Sequence, residues 1–253
     1  MSKVIKFILS FLVLFAFISC SKTPYTNRTQ LIMFSPQQEM QMGYQSSREI
    51  LKKEKISKDP RLNSMVQRVG KKIANAAKRD DYKWEFYVID KDILNAFCLP
   101  GGKIFVYKGL FKAVENDDQL AVVMAHEVAH ALARHGAERV SMIQLAQIGQ
   151  VVGGAVLQGS KYENIFNAAY GLGAQFGVIL PYSRTFEYES DEIGLYLMTN
   201  AGYDPNESIK FWQNMKKLKK GANPPAFLST HPADNDRIAR LKELIPKALK
   251  YYK

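Results

Sequence analysis

Residues 116–134 read NDDQLAVVMAHEVAHALAR, and the fold turns on this stretch. Asn116, Asp117 and Asp118 are residues that a helix N-terminus favours, and no Pro or Gly interrupts the run before Arg134. The pattern predicts a helix over 117–134, capped by Asn116 or Asp117 and stopped by Gly136. Inside it stands His126-Glu127-Val128-Ala129-His130. Side chains four apart share a helical face, so both imidazoles aim at one point and Glu127 leans to the same side. Two histidines one turn apart, with a glutamate after the first, suit a zinc ion and a base beside it. A solvated face with incidental histidines is the bland alternative. The apolar run Leu120–Ala125 in front of the motif argues against it.

Working outward, a third ligand is needed. The metzincin arrangement has Gly three and His six residues after the second histidine; here those positions hold Ala133 and Gly136, which excludes it. His135 would point about 140° away from His130 around the helix. It reads as a helix C-terminal histidine favoured by the dipole. The third ligand is therefore expected from a distant carboxylate, and the stretch SRTFEYESDEIG at 183–194 offers four. Glu187 and Asp191 are four apart and share a face, so one can hold metal while the other steadies the site. Glu189 and Glu192 point elsewhere and read as surface charges. Periodicity alone does not choose between Glu187 and Glu189.

Around these motifs the pattern is helical over 36–55, 60–78, 186–200 and 205–219, and again after Pro232. Residues 84–89 and 104–107 read as short strands, with the Pro-Gly-Gly of 100–102 as a turn. The fold class is α+β and mainly helical, a zincin-type domain with a small antiparallel sheet beside the motif helix. Two uncharged runs, 141–160 and 164–183, raise a transmembrane hairpin. Their Gln, Asn and Gly content favours buried or semi-buried helices instead.

These motifs together resemble the HtpX and CAAX-prenyl-protease family of gluzincin metallopeptidases, closest to its small periplasmic lipoprotein members. HEVAH is followed by SRxxExxxD, with Glu187 57 residues after His130. NAFCLPGGKIFVYKGL (95–110) is similar to the family's NAxxxPGG strand-turn element, AGYDP (201–205) to its post-ligand turn, and THPADNDRIARL (230–241) to its HP…RI..L segment. Ser190 and Cys98 stand where the family commonly has Ala. The resemblance implies one zinc ion on His126, His130 and Glu187, with Asp191 supporting the site. Glu127 is then the base that takes a proton from the attacking water and passes it to the leaving amine. His231, the remaining histidine, has three readings: an oxyanion or substrate contact, a latency ligand on the zinc, or a structural N-cap. Ile104, Phe105 and Val106 resemble the edge strand along which an extended substrate aligns, with Asn95 nearby. A cysteine nucleophile at Cys98 is not expected, because the imidazoles that would activate it are assigned elsewhere.

The N-terminus reads as an address. Lys3 and Lys6 precede an apolar run from Phe7 to Ile18, too short to span a bilayer, and then Ser19-Cys20-Ser21. This is the shape of a lipoprotein signal over 1–19, with Phe17 standing where Leu is commonest. Cys20 would be the lipidated first residue, 20–35 a tether and 36–253 a single metallopeptidase domain. Ser21 after the cysteine favours an outer membrane. The expected location is thus a bacterial envelope, lipid-anchored and facing the periplasm. Cleavage before Cys20 removes Lys3 and Lys6 and lowers the net charge from +11 to +9. With Cys20 lipidated, Cys98 has no partner in the chain. No nucleic-acid motif accompanies the lysines, so a solvated face or anionic lipid is the expected reading of the charge. The expected substrates are unfolded or misfolded envelope proteins. The competing function is a chaperone-like lipoprotein that assists the outer-membrane assembly machinery, with proteolysis secondary.

Overall fold

The computed structural model describes residues 19–160, 180–219, 227, 231 and 235–251. Residues 1–18 and most of the uncharged run 164–183 lie outside the described residues. In chain order the elements begin with β1 (Ser19–Lys22), β2 (Thr29–Ile32), α1 (Pro36–Lys53), α2 (Pro60–Ala77), β3 (Glu85–Ile89), β4 (Ala96–Leu99) and β5 (Lys103–Tyr107). They continue with α3 (Asp117–Leu132), α4 (His135–Leu157), α5 (Leu180–Asn200), α6 (Glu207–Lys219) and α7 (Asn235–Ala248). The chain divides into two units, one of residues 1–36 with 134–184, the other of 37–133 with 185–253.

In the larger unit, Asp59 caps α2 by accepting hydrogen bonds from Arg61 N and Leu62 N, and Pro60 opens the helix where its missing N–H costs nothing. One face of α2, with Val66, Val69 and Ile73, packs into a core shared with Leu120, Val123 and Met124 of α3 and with Ile104 and Val106 of β5. Asn116 Oδ1 accepts from Gln119 N at 2.8 Å, which fixes Asn116 as the cap of α3.

The sheet has the order β3-β5-β4. β4 and β5 form an antiparallel hairpin through Gly101 and Gly102, whose φ of +86° and +88° only glycine takes without strain. β3 joins β5 in parallel, so the sheet is mixed. This corrects the expectation for Ile104, Phe105 and Val106. β5 is the central strand, with ladders on both sides and all three side chains fully buried. The strand at the edge beside Asn95 is β4.

A second correction concerns the end of α3. The helix stops at Leu132, and Arg134 takes a left-handed conformation at φ 55°. Gly136 is therefore not the stop, and His135 opens α4 instead of closing the motif helix.

In the smaller unit, β1 and β2 pair antiparallel, with Cys20 opposite Leu31. The stretch expected as a polar tether thus holds a hairpin, and its polar residues have partners. Arg28 donates from both terminal nitrogens to Glu138, at 2.8 and 2.7 Å, and Gln30 Nε2 donates to the same carboxylate at 2.9 Å. Met33 N donates to Ser141 Oγ at 2.9 Å. Over 142–156, α4 is half-buried to exposed, with Val151 and Val156 72% and 78% exposed. Among the described residues no helix is long and apolar enough to cross a membrane.

Candidate metal centre

Two helices meet at the centre. α3 is enclosed from Gln119 to Leu132, apart from the half-buried His130. α5 crosses it at Gly194, where an added Cβ would lie 3.2 Å from both Cα and N of His126. A side chain there would hold the two backbones apart. The close crossing brings Glu187 and Asp191 to the histidine face of α3.

One ligand atom from each of His126, His130, Glu187 and His231 falls within 4.8 Å of the others. Nε2 of His126 stands 3.1 Å from His130 Nε2, 3.2 Å from His231 Nδ1 and 3.3 Å from Glu187 Oε2. Glu187 Oε1 is 3.3 Å from His130 Nε2, and Glu187 Oε2 is 3.0 Å from His231 Nδ1. Zinc bonded tetrahedrally at about 2.0–2.1 Å to such donors would set them about 3.3 Å apart, so the cluster fits an ion of that kind. Its chemistry fits too, since lone pairs converging from three imidazoles and a carboxylate call for a cation among them. His130 and His231 are half-buried, so the centre opens on their side.

Glu127 is buried beside the cluster, its Oε1 3.4 Å from His231 Nε2. Burial holds its carboxyl above the usual range. Burial would likewise push the His126 imidazole down, but hydrogen bonds to Asp191 and Glu187 overcome this and hold it up at about 9. Glu187 is pressed upward by burial and held well below the ordinary carboxylate range by His126, His130 and His231. Asp191 Oδ1 lies 3.1 Å from His126 Nδ1; burial pushes this acid up, and Arg237 and His126 together more than offset it and keep it low.

Several features were not visible in the residue pattern. Arg237, at the start of α7, is 1% exposed and donates to both oxygens of Asp191. Its only signal was membership of the THPADNDRIARL stretch. Trp212 of α6 lies under that guanidinium, with Arg237 Cζ 4.0 Å from a ring centroid. Phe227 is fully buried, stacks on Trp212, lies tilted against the His231 ring at 4.5 Å between centroids, and donates from N to Leu94 O just before β4. Glu189, expected at the surface, is 5% exposed, because α5 is covered on nearly every side; Glu192 is half-buried and accepts from Tyr196 Oη. His231 lies four residues before α7 begins, outside its first turn. Asn95 immediately precedes the edge strand β4, and its backbone carbonyl accepts from Tyr107 N at 3.0 Å. The Cys98 thiol is pushed up by burial and then by the Glu127 charge, which makes it a poor nucleophile.

The sequence of residues 60–245, which contains every member of this cluster, matches peptidase family M48. The chain belongs to that family. Among its relatives, the mitochondrial metalloendopeptidase OMA1 of Schizosaccharomyces pombe is 39% identical over 184 residues, covering 72% of this chain and 53% of the relative. OMA1 of Saccharomyces cerevisiae is 33% identical over 258 residues, covering 94% of this chain and 73% of the relative. The beta-barrel assembly-enhancing protease of Escherichia coli is 30% identical over 209 residues, covering 80% and 42%. The chain thus spans about half the length of the fission-yeast relative.

Membership of M48 bears out the resemblance and the metallopeptidase class, and the donor cluster is that of a metal site. The relatives overturn the expected location. Those from yeasts, human and plant are mitochondrial by name, so a bacterial envelope address does not follow from residues 1–20. The reason is physical: a basic head and a short apolar run are read by a cell's own receptors, and the residues alone do not say which.

Proposed function

We propose that this chain is a zinc-dependent endopeptidase acting on unfolded protein chains, with His126, His130 and Glu187 as zinc ligands and Glu127 as general base. The observation that carries the reading is the buried Glu127 carboxylate set against a four-donor cluster. Zinc held there would supply Lewis acidity toward a peptide carbonyl and its attacking water. Glu127 takes a proton from that water and delivers it to the leaving amine; a raised pKa suits a group that must do both. The Asp191 carboxylate stands 3.1 Å from His126 Nδ1, where its charge favours the proton on Nδ1 and leaves Nε2 toward the centre. An extended substrate pairs by its backbone with the edge strand β4, which makes recognition largely independent of side chains.

His231 favours a closed resting form as a second reading. Its Nδ1 occupies the fourth position of the donor set and its Nε2 faces Glu127, where substrate and water would otherwise enter. Withdrawal of His231 opens the site.

The test is cleavage of a dye-labelled unfolded protein by the full chain carrying one equivalent of zinc. Wild type or His231→Ala should cleave it. Glu127→Gln should lower the rate about 10²–10⁴-fold while zinc stays bound. If neither wild type nor His231→Ala cleaves, the endopeptidase reading is wrong.

A further inference from the structure

Arg237 is a buried cation on a helix that supplies no donor to the cluster. Its Nε donates to Asp191 Oδ2 at 2.7 Å and its Nη2 to Asp191 Oδ1 at 2.6 Å, a two-point grip that fixes the carboxylate plane. The third nitrogen, Nη1, reaches Glu187 Oε2 at 3.1 Å. The flat face of the guanidinium rests on the Trp212 indole, and Trp212 is itself 2% exposed and edge-on to His126 at 6.4 Å between centroids. One side chain therefore touches both Glu187 and Asp191 of α5, and through Asp191 it reaches His126 of α3.

We propose that Arg237 is a positioning residue of the metal centre: its indole-backed guanidinium fixes Asp191 and Glu187, and through them His126, in the arrangement that receives the ion. The inference rests on the metal-centre reading above. A lysine cannot replace the fork. Its three donors sit on one rotating nitrogen, so they cannot span Asp191 and Glu187 in a fixed plane, and it has no planar face to lay on Trp212. The grip also links two of the three stretches that supply donors, since Arg237 follows His231 by six residues and so joins that segment to α5.

The experiment compares the full chain with Arg237→Lys and Arg237→Gln, measuring zinc affinity by competition with a chromophoric chelator and the visible spectrum of the cobalt-loaded protein. Glu207→Gln serves as a structural control, because Glu207 binds Gln119 and Asn116 at the far end of α3. Both Arg237 variants should melt cooperatively without metal, bind zinc about 10–100-fold more weakly and shift the cobalt bands. The control should lose stability with affinity and spectrum unchanged. Wild-type affinity and spectrum in Arg237→Lys would overturn the inference. So would failure of both variants to fold without metal, which would make the guanidinium a requirement of the fold. If wild type itself binds no zinc, the metal-centre reading fails instead.

Discussion

α3 and α5 are both enclosed, and both send side chains to the same few ångströms, yet they reach that point by different means. On α3 the placement is local. One helical turn separates His126 from His130, so any packing that keeps the helix keeps the pair. On α5 the placement is tertiary. Glu187 meets the histidines only because Gly194 lets the two backbones close to van der Waals contact and Arg237 holds the acids from behind. A motif carries the first kind of information and a packed structure carries the second.

The strongest way to break this contrast is to exchange acids on α5. Glu187 and Glu189 are two residues apart and both buried. Glu187→Gln should cost more zinc affinity than the about 10–100-fold of an outer contact, whereas Glu189→Gln should leave affinity unchanged. The reverse result, read by chelator competition, would move the third donor. Next comes the crossing itself. Gly194→Val places carbon where His126 backbone stands 3.2 Å away and should destabilise the fold by about 1–3 kcal/mol. Zinc affinity should fall with it, because the helices separate at the centre; a loss of melting temperature with affinity intact would contradict the crossing's role.

A smaller effect sharpens the comparison through pH. In the metal-free chain, His126 is held up at about 9, above its ordinary 6.5. A raised folded value stabilises the protein fully below about pH 6.5, and that contribution is lost as pH rises through 9. Glu187 and Asp191, both held low, act oppositely: their contribution stands above the ordinary carboxylate range and is lost on acidification. The metal-free melting temperature should therefore fall between pH 6.5 and 9, and bound zinc should remove that fall by standing where the proton stood. Parallel slopes with and without zinc would show that α3 and α5 are not joined through His126.

What was legible in the sequence follows the same division. The His126-Glu127-His130 triplet, the Asn116 cap and the helix starts at Pro36, Pro60 and Asp117 depend on neighbours in the chain, and the residues display them. Which acid of α5 faces the centre depends on a crossing that no periodicity records, so Glu187 and Glu189 stayed level until the family resemblance separated them. The strand order needed the parallel pairing of β3 with β5, a contact across a connection, and without it β5 looked like an edge. Thr23 and Gln30 looked like tether residues because their burial depends on a hairpin and on Glu138, 108 residues beyond Gln30. Arg237 stayed hidden for the same reason: its partners lie 25 and 46 residues back.

The coordination of the ion tests the account most directly. X-ray absorption at the zinc edge of the full chain, loaded with one equivalent, should show four nitrogen and oxygen neighbours at about 2.0–2.1 Å with the scattering of two imidazoles, and of a third in the closed form with His231 in the fourth position. A sulfur neighbour at about 2.3 Å, which would bring in a cysteine, or a six-oxygen shell would contradict it.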